Sequence, residues 1–181
     1  MKECSMKECS MKDVLFLLTG GTIDSRWDPA QDTAVPLDKS ELADYVRKYI
    51  KPGFKITEKV VTLRDSREID DNIRNVIFDD IKKAKTDYIL VTHGTFTMAE
   101  TGRFLKKKIK SDETLKNKRI VLVGSMYPFS GFALTDATFN LGFALGVLRE
   151  MKPGIGIVMN GQILDVDRAE KCLSSATFVE N

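Results

Sequence analysis

The sequence predicts an α/β fold, one domain built on a doubly wound, mostly parallel sheet covered by helices. Three observations predict it. Short apolar runs alternate with helical patterns from residue 14 onward, and strands joined by helix-length crossovers pair in parallel. Four of these runs, at 14–18, 57–63, 88–91 and 120–123, lead straight into turns carrying Ser or Thr, so parallel pairing puts all four turns on one sheet edge. Ligands of open α/β sheets bind along that carboxyl edge. The length of 181 residues suits one well-buried core.

The first strand, 14–18, runs into Thr19-Gly20-Gly21-Thr22. Residues 24–37, polar and holding two prolines, read as a mobile loop over that turn. Leu42, Tyr45, Val46, Tyr49 and Ile50 recur at helical spacing, and Lys51-Pro52-Gly53 stops the helix. The second strand ends in Arg64-Asp65-Ser66-Arg67. Asp70 or Asp71 can cap the next helix, whose inner face is Ile73, Val76, Ile77, Ile81 and Ala84. The third strand enters Thr92-His93-Gly94-Thr95, and a helix follows over 98–110. The fourth strand enters Gly124-Ser125. The helix over about 132–149 is apolar nearly all round, with Gly142, Ala144 and Gly146 among large residues. Such a helix is buried on more than one side, in the core or against a second subunit, so a homodimer or larger assembly is expected. Residues 155–159 form a fifth strand, and Asn160-Gly161 turns it into a short returning strand at 162–164. The remainder reads as a polar C-terminal segment.

Composition excludes several function classes. Hydrophobic residues make up 43% and charged residues 30%, values ordinary for a soluble globular chain. A net charge of +2 gives no footprint for nucleic acid, and Lys106, Lys107, Lys108 and Lys110 read as one wet helix face. Residues 1–5 and 6–10 are an exact duplication, Met-Lys-Glu-Cys-Ser. Residues 1–12 are therefore read as a disordered leader or expression scar, with the domain at 13–181. That leaves Cys172 alone, and one histidine in the chain argues against zinc, so no metal and no cofactor is expected. The run 14–18 is too short for a signal core or a membrane span, and a cytoplasmic protein without a membrane partner follows.

Thr22 follows two glycines at a strand end. A threonine hydroxyl is a weak nucleophile needing a base, and glycines let backbone amides approach a developing oxyanion. The same residues serve equally as a capped strand-to-loop turn. The Gly-Gly pair lacks the spacing of a dinucleotide or phosphate loop. His93 is the obvious general base by chemistry, yet its place after an apolar strand suits a buried structural histidine as well. Ser66 and Ser125 are plausible donors to a small polar substrate, or plain turn residues. Lys171 alone reads as a solvated lysine.

Four segments together carry a resemblance: Thr19-Gly-Gly-Thr-Ile23, Val91-Thr-His-Gly-Thr95 with Thr97-Met98 and Glu100-Thr101, Val123-Gly-Ser-Met126 with Pro128, and Val158-Met-Asn160 followed by Leu164-Asp165. Asp136 and Phe139-Asn140-Leu141 match a helix start. From residue 14 to 178 the sequence resembles the N-terminal domain of the bacterial-type L-asparaginase/glutaminase family, which implies a flavodoxin-like sheet. By that resemblance Thr22 is the nucleophile, Thr95 the second threonine and Lys171 the lysine working with it, desolvated enough to accept a proton. Ser66 is the serine that holds the substrate carboxylate, and Ser125 lies where a carbonyl meets the side-chain amide. Gly21, Gly94, Arg67 and Phe96 complete the implied pocket, and His93 becomes structural.

The departures are specific. The family carries an aspartate after the second threonine, where this chain has Phe96; Arg67 replaces the usual glutamine; residues 24–37 lack a tyrosine; and the sequence stops where the family's second domain would begin. The expected activity is hydrolysis of a small carboxylate-bearing amide through a threonine acyl intermediate, with Ser66 and Arg67 on the carboxylate. The rival reading is an asparaginase-like module that binds a small ligand or a partner without turnover.

Overall fold

The computed structural model describes residues 11–131 and 133–181; the duplicated leader at 1–10 and Phe132 lie outside the described residues. A six-stranded sheet forms the centre. It contains β1 (Asp13–Gly20), β4 (Lys55–Arg64), β5 (Tyr88–Thr92), β6 (Arg119–Val123), β7 (Gly154–Met159) and β8 (Gln162–Leu164), in the order β4-β1-β5-β6-β7-β8. The first five are parallel and β8 returns antiparallel. The chain steps from β1 outward to β4, then back past β1 to β5, β6 and β7. The direction of winding therefore reverses between β1 and β5, and such a switch point opens a crevice at the strands' carboxyl ends.

Period-two alternation divides the core. Val14, Phe16 and Leu18 of β1, Leu90 of β5, Val121 and Val123 of β6 and Val158 of β7 pack on one face. Against them lie α1 (Leu42–Tyr45) and α4 (Ala137–Glu150). Leu15, Leu17, Ile89, Val91, Ile120, Leu122 and Ile157 point to the other face, onto α2 (Asp71–Lys83) and α3 (Met98–Lys110). Helices on both faces are the doubly wound architecture that the alternating runs predict. Asp70 caps α2 by accepting from the Ile73 amide at 2.9 Å.

Several segments differ from expectation. Met11, read with the leader, is buried in the first core, and the Lys12 carbonyl accepts from the Lys55 amide at 2.9 Å, so these two residues pack with the domain. Residues 24–37 form a hairpin, β2 (Ser25–Asp28) with β3 (Thr33–Pro36), tethered where the Trp27 amide donates to the Ser130 carbonyl at 3.0 Å. The helix read over 42–50 keeps α geometry only to Tyr45. It then widens into a π turn closed by the Lys51 amide on the Val46 carbonyl, with Lys51 left-handed at φ 50° before Pro52. Helix α4 starts at Ala137, because the Asp136 carboxylate turns back to accept from the Met126 and Tyr127 amides. The C-terminal segment is a second hairpin, β9 (Ala169–Cys172) with β10 (Thr177–Glu180). Asn160-Gly161 makes the tight turn foreseen, with φ of 53° and 73°. Among the described residues no helix is long and apolar enough to cross a membrane.

Candidate active site

Glycines bring the strand ends together. Gly20 and Gly21, at φ 91° and 81°, close β1 in a conformation that L side chains rarely adopt. A methyl group on Gly21 would enter the backbone of Gly94, and one on Gly94 would lie 2.7 Å from Ser66 Cβ. Bare backbones thus stack at the ends of β1, β5 and β4 in turn, which gathers Thr22, Thr95 and Ser66. The Gly21 amide donates to the Arg64 carbonyl at 2.8 Å. Its contribution is close approach; it is not a free oxyanion donor.

Thr22 opens a single 3₁₀ turn, Thr22–Asp24, and is half-buried. It lines a cavity of about 340 Å³ with Gly21, Asp65, Arg67, Phe96 and Thr33 of the hairpin. The hairpin read as a loop therefore forms one wall of this cavity.

Thr95 is buried, and its Oγ1 accepts from Lys171 Nζ at 2.7 Å. Lys171 reaches it from β9, seventy-six residues away in sequence. Burial pulls the Lys171 pKa below its ordinary value; nearby Asp65 opposes this and Arg67 adds to it. The ammonium also stands 3.8 Å from the centroid of the Phe96 ring. The Arg67 guanidinium lies 4.7 Å from the same centroid. Phe96, half exposed, is the link between the cavity and the Thr95–Lys171 pair, which does not itself line the cavity.

Arg67 is already engaged. Its Nε and Nη2 donate to the two oxygens of Asp65 at 2.9 and 3.0 Å, and this fork holds the Asp65 carboxyl below its usual range. Ser66 is buried, with Oγ accepting from the Phe96 amide at 3.2 Å, so the hydroxyl proton can still serve a ligand. Ser125 is buried as well and donates to the Tyr127 carbonyl at 2.6 Å. Asn140 fixes the same turn by donating to the Gly124 carbonyl at 3.1 Å, and a methyl group on Gly124 would lie 2.5 Å from the His93 carbonyl oxygen.

His93 is fully enclosed, 2.8 Å from the Gly94 carbonyl through Nδ1, and its Nε2 has no partner among the described residues. Desolvation lowers its pKa to about 4. A neutral imidazole committed to Gly94 braces the β5 turn. Of the two sequence readings, the structural one holds.

One residue escaped the sequence reading. Asp24, two places after Thr22, is buried; its Oδ2 accepts from Thr92 Oγ1 at 2.8 Å, and its Oδ1 has no partner among the described residues. Burial raises its pKa to about 6 against hydrogen bonds from Ser40, Thr92 and Gly20. The only signal was an acidic residue in a turn otherwise built of small and apolar ones. No cluster of three or more potential metal ligands occurs among the described residues.

Comparison with known proteins follows the same outline. Residues 13–179 match the family described as asparaginase, N-terminal. L-asparaginase 2 of Escherichia coli (strain K12) is 30% identical over 160 residues, covering 84% of this chain and 44% of that protein. A glutaminase-asparaginase of Pseudomonas aeruginosa is 29% identical over 179 residues, covering 91% and 47%. Among solved structures, a "Probable Cytoplasmic L-asparaginase" from Campylobacter jejuni superposes with a TM-score of 0.77 at 28% identity, covering 93% of this chain and 53% of that one. The thermostable L-asparaginase from Thermococcus kodakarensis gives 0.74 at 28% identity, covering 93% and 51%. The chain spans about half the length of the relatives it matches.

Proposed function

The chain belongs to the asparaginase family, and from that premise we propose that it is an amidohydrolase releasing ammonia from a small carboxylate-bearing amide. The observation that carries this reading is the 2.7 Å contact between Lys171 Nζ and Thr95 Oγ1, with Gly94 beside Thr95 stacked on the Gly21 that precedes Thr22. A partly desolvated amine on a threonine hydroxyl can take and return a proton. Thr22 Oγ attacks the amide carbon and forms an ester, its hydroxyl proton passes through Thr95 and Lys171 to the amide nitrogen, and the C–N bond breaks as that nitrogen leaves as ammonia. Water then attacks the ester, giving its proton through Thr95 and Lys171 and freeing Thr22.

Ser66 is the candidate donor to the substrate carboxylate. Arg67, already paired with Asp65, supplies a neutralised fork that a carboxylate would have to share. Phe96 disfavours a free α-ammonium, since it offers no carboxylate and its ring already faces two cations. Amides lacking a free amine, such as succinamate or N-acylated asparagine, are the substrates this pocket favours over L-asparagine.

We read the protein as cytoplasmic and homo-oligomeric. The open side of α4 supports assembly: Phe139 is exposed, and no described residue lies within 4 Å of where a methyl group on Gly142 or Gly146 would sit. Light scattering should show a dimer or larger species; a monomer over a wide concentration range rejects the assembly.

The test of activity is an ammonia-release screen across small amides, with Thr22→Ala as control. Release by wild type that Thr22→Ala abolishes supports the proposal. A Thr22→Ala protein that matches the wild-type rate overturns the nucleophile. A wild type that binds succinamate yet releases no ammonia from any amide favours a binding module.

A further inference from the structure

We propose that Asp24 is a positioning residue for Thr22, fixing the nucleophile's turn to the ends of β1 and β5 and to the hairpin that walls the cavity. The inference rests on the reading of Thr22 as nucleophile and adds to it a residue that sets the hydroxyl's place.

The Thr22–Asp24 turn is only three residues long, so whatever holds Asp24 holds Thr22. Three hydrogen bonds radiate from this one residue. Its amide donates to the Gly21 carbonyl at 3.0 Å, closing the turn. Its carbonyl accepts from the Leu37 amide at 3.0 Å, pinning the returning end of the hairpin. Its Oδ2 accepts from Thr92 Oγ1 at 2.8 Å. The Ser40 hydroxyl, just before α1, and the Gly20 backbone lie on the same carboxylate and favour its charged form.

Thr92 carries the connection onward. Its hydroxyl accepts from the Thr19 amide at 3.2 Å while it donates to Asp24, and Thr19 Oγ1 donates to the Thr92 carbonyl at 2.6 Å. This small network stitches β1 to β5 at the switch point of the sheet, three residues before Thr95. Its hub is acceptor-only, which is what converging hydroxyl and amide donors require.

A packing residue would not be built this way. Among the described residues the buried carboxylate has no cation beside it and Oδ1 has no partner, so a neutral side chain would be cheaper to enclose. The groups facing it are the Ser40 and Thr92 hydroxyls and the Gly20 amide; the neighbouring His93 is neutral. Protonation therefore acts on the anchor directly. It places a donor in a site whose neighbours already donate, and it loosens the grip on the turn.

Asp24→Asn tests this with its shape preserved. The amide can still accept from Thr92, but it gives up acceptor capacity and brings two hydrogens to satisfy. We expect a fall in kcat of about 10- to 100-fold with KM within about threefold, the pattern of a misplaced reacting group. Wild-type kcat should fall on the acid side of about pH 6, and Asp24→Asn should lose that acid limb. A readout without substrate accompanies it: in wild type the Thr22 amide resonance should titrate together with the Asp24 side-chain carboxyl, and in Asp24→Asn that titration should vanish. Co-titration in a protein that turns over no amide keeps the positioning role and overturns the amidohydrolase reading alone. A folded Asp24→Asn with wild-type kcat and an unchanged acid limb overturns the proposal. So does a Thr22 amide resonance in wild type that is unmoved from pH 5 to 7.

Discussion

Two buried titratable groups push the stability of this domain in opposite directions over one pH interval, and substitution should separate them. His93 has an ordinary pKa of 6.5 that burial lowers to about 4. Between those values the unfolded chain binds a proton that the folded chain refuses, so stability is lost as pH falls from 6.5 toward 4. At ~1.4 kcal/mol per pH unit the contribution is about 3 kcal/mol. Asp24 behaves oppositely. Burial raises its pKa from 3.8 to about 6, so the folded chain keeps a proton that the unfolded chain has released. Its contribution is greatest below 3.8 and is lost as pH rises through about 6, again by about 3 kcal/mol. In wild type the two nearly cancel. His93→Asn keeps an amide donor near the Gly94 carbonyl and removes one side of the balance. Relative to wild type it should lose about 3 kcal/mol between pH 4 and pH 7. Asp24→Asn should gain about as much over the same range, and the double variant should return to the flat difference. Against the ~5–15 kcal/mol that holds a typical domain together, either trend is easily seen. Urea unfolding of all four proteins at half-unit steps from pH 4 to 7 measures it, and taking differences from wild type cancels the surface carboxylates. Difference curves that are flat, or that slope the same way for both single variants, refute the assignment of these burials.

The remaining predictions concern the pocket. Phe96→Asp should raise the ratio of kcat/KM for L-asparagine over succinamate, because a carboxylate beside Thr95 adds a charge-assisted contact worth about 1.5–3 kcal/mol to an ammonium. An unchanged ratio would mean that Phe96 does not select the substrate. Gly94→Ala puts a methyl 2.7 Å from Ser66 Cβ and 2.8 Å from Ser66 Oγ. It should cost about 1–3 kcal/mol in thermal or urea unfolding and raise KM by displacing the carboxylate donor; wild-type stability and KM would show that the strand ends yield more easily than their packing implies.

How much of this was legible in the sequence divides along physical lines. Strands such as 88–91 and 120–123 declare themselves because both faces are buried, leaving continuous apolar runs between turn residues. The Gly20-Gly21 pair pointed to a special backbone, and the structure shows its purpose in the stacking of Gly21 on Gly94. Lys171 was placed only by resemblance, since Ala169-Glu170-Lys171-Cys172 has no apolar alternation to announce a strand. Arg67 was assigned to a substrate carboxylate, whereas in the folded turn the nearest carboxylate is Asp65, two residues away. Asp24 is not legible in the sequence because the donor to its carboxylate, Thr92, stands sixty-eight residues away. The hairpin at 25–36 was hidden by its exposure: with few buried positions, its residues carry no periodic pattern.

The claim that stands at the centre is covalent catalysis by Thr22, and a rapid acid quench during turnover addresses it most directly. Wild type mixed with succinamate, stopped within one turnover, digested and weighed by mass spectrometry should show the peptide containing Thr22 heavier by the substrate's acyl group. The adduct should decay as ammonia release completes, and Thr22→Ala should give neither the adduct nor ammonia. Ammonia released at the wild-type rate by Thr22→Ala, or an acyl group found on another residue, would contradict the threonine mechanism.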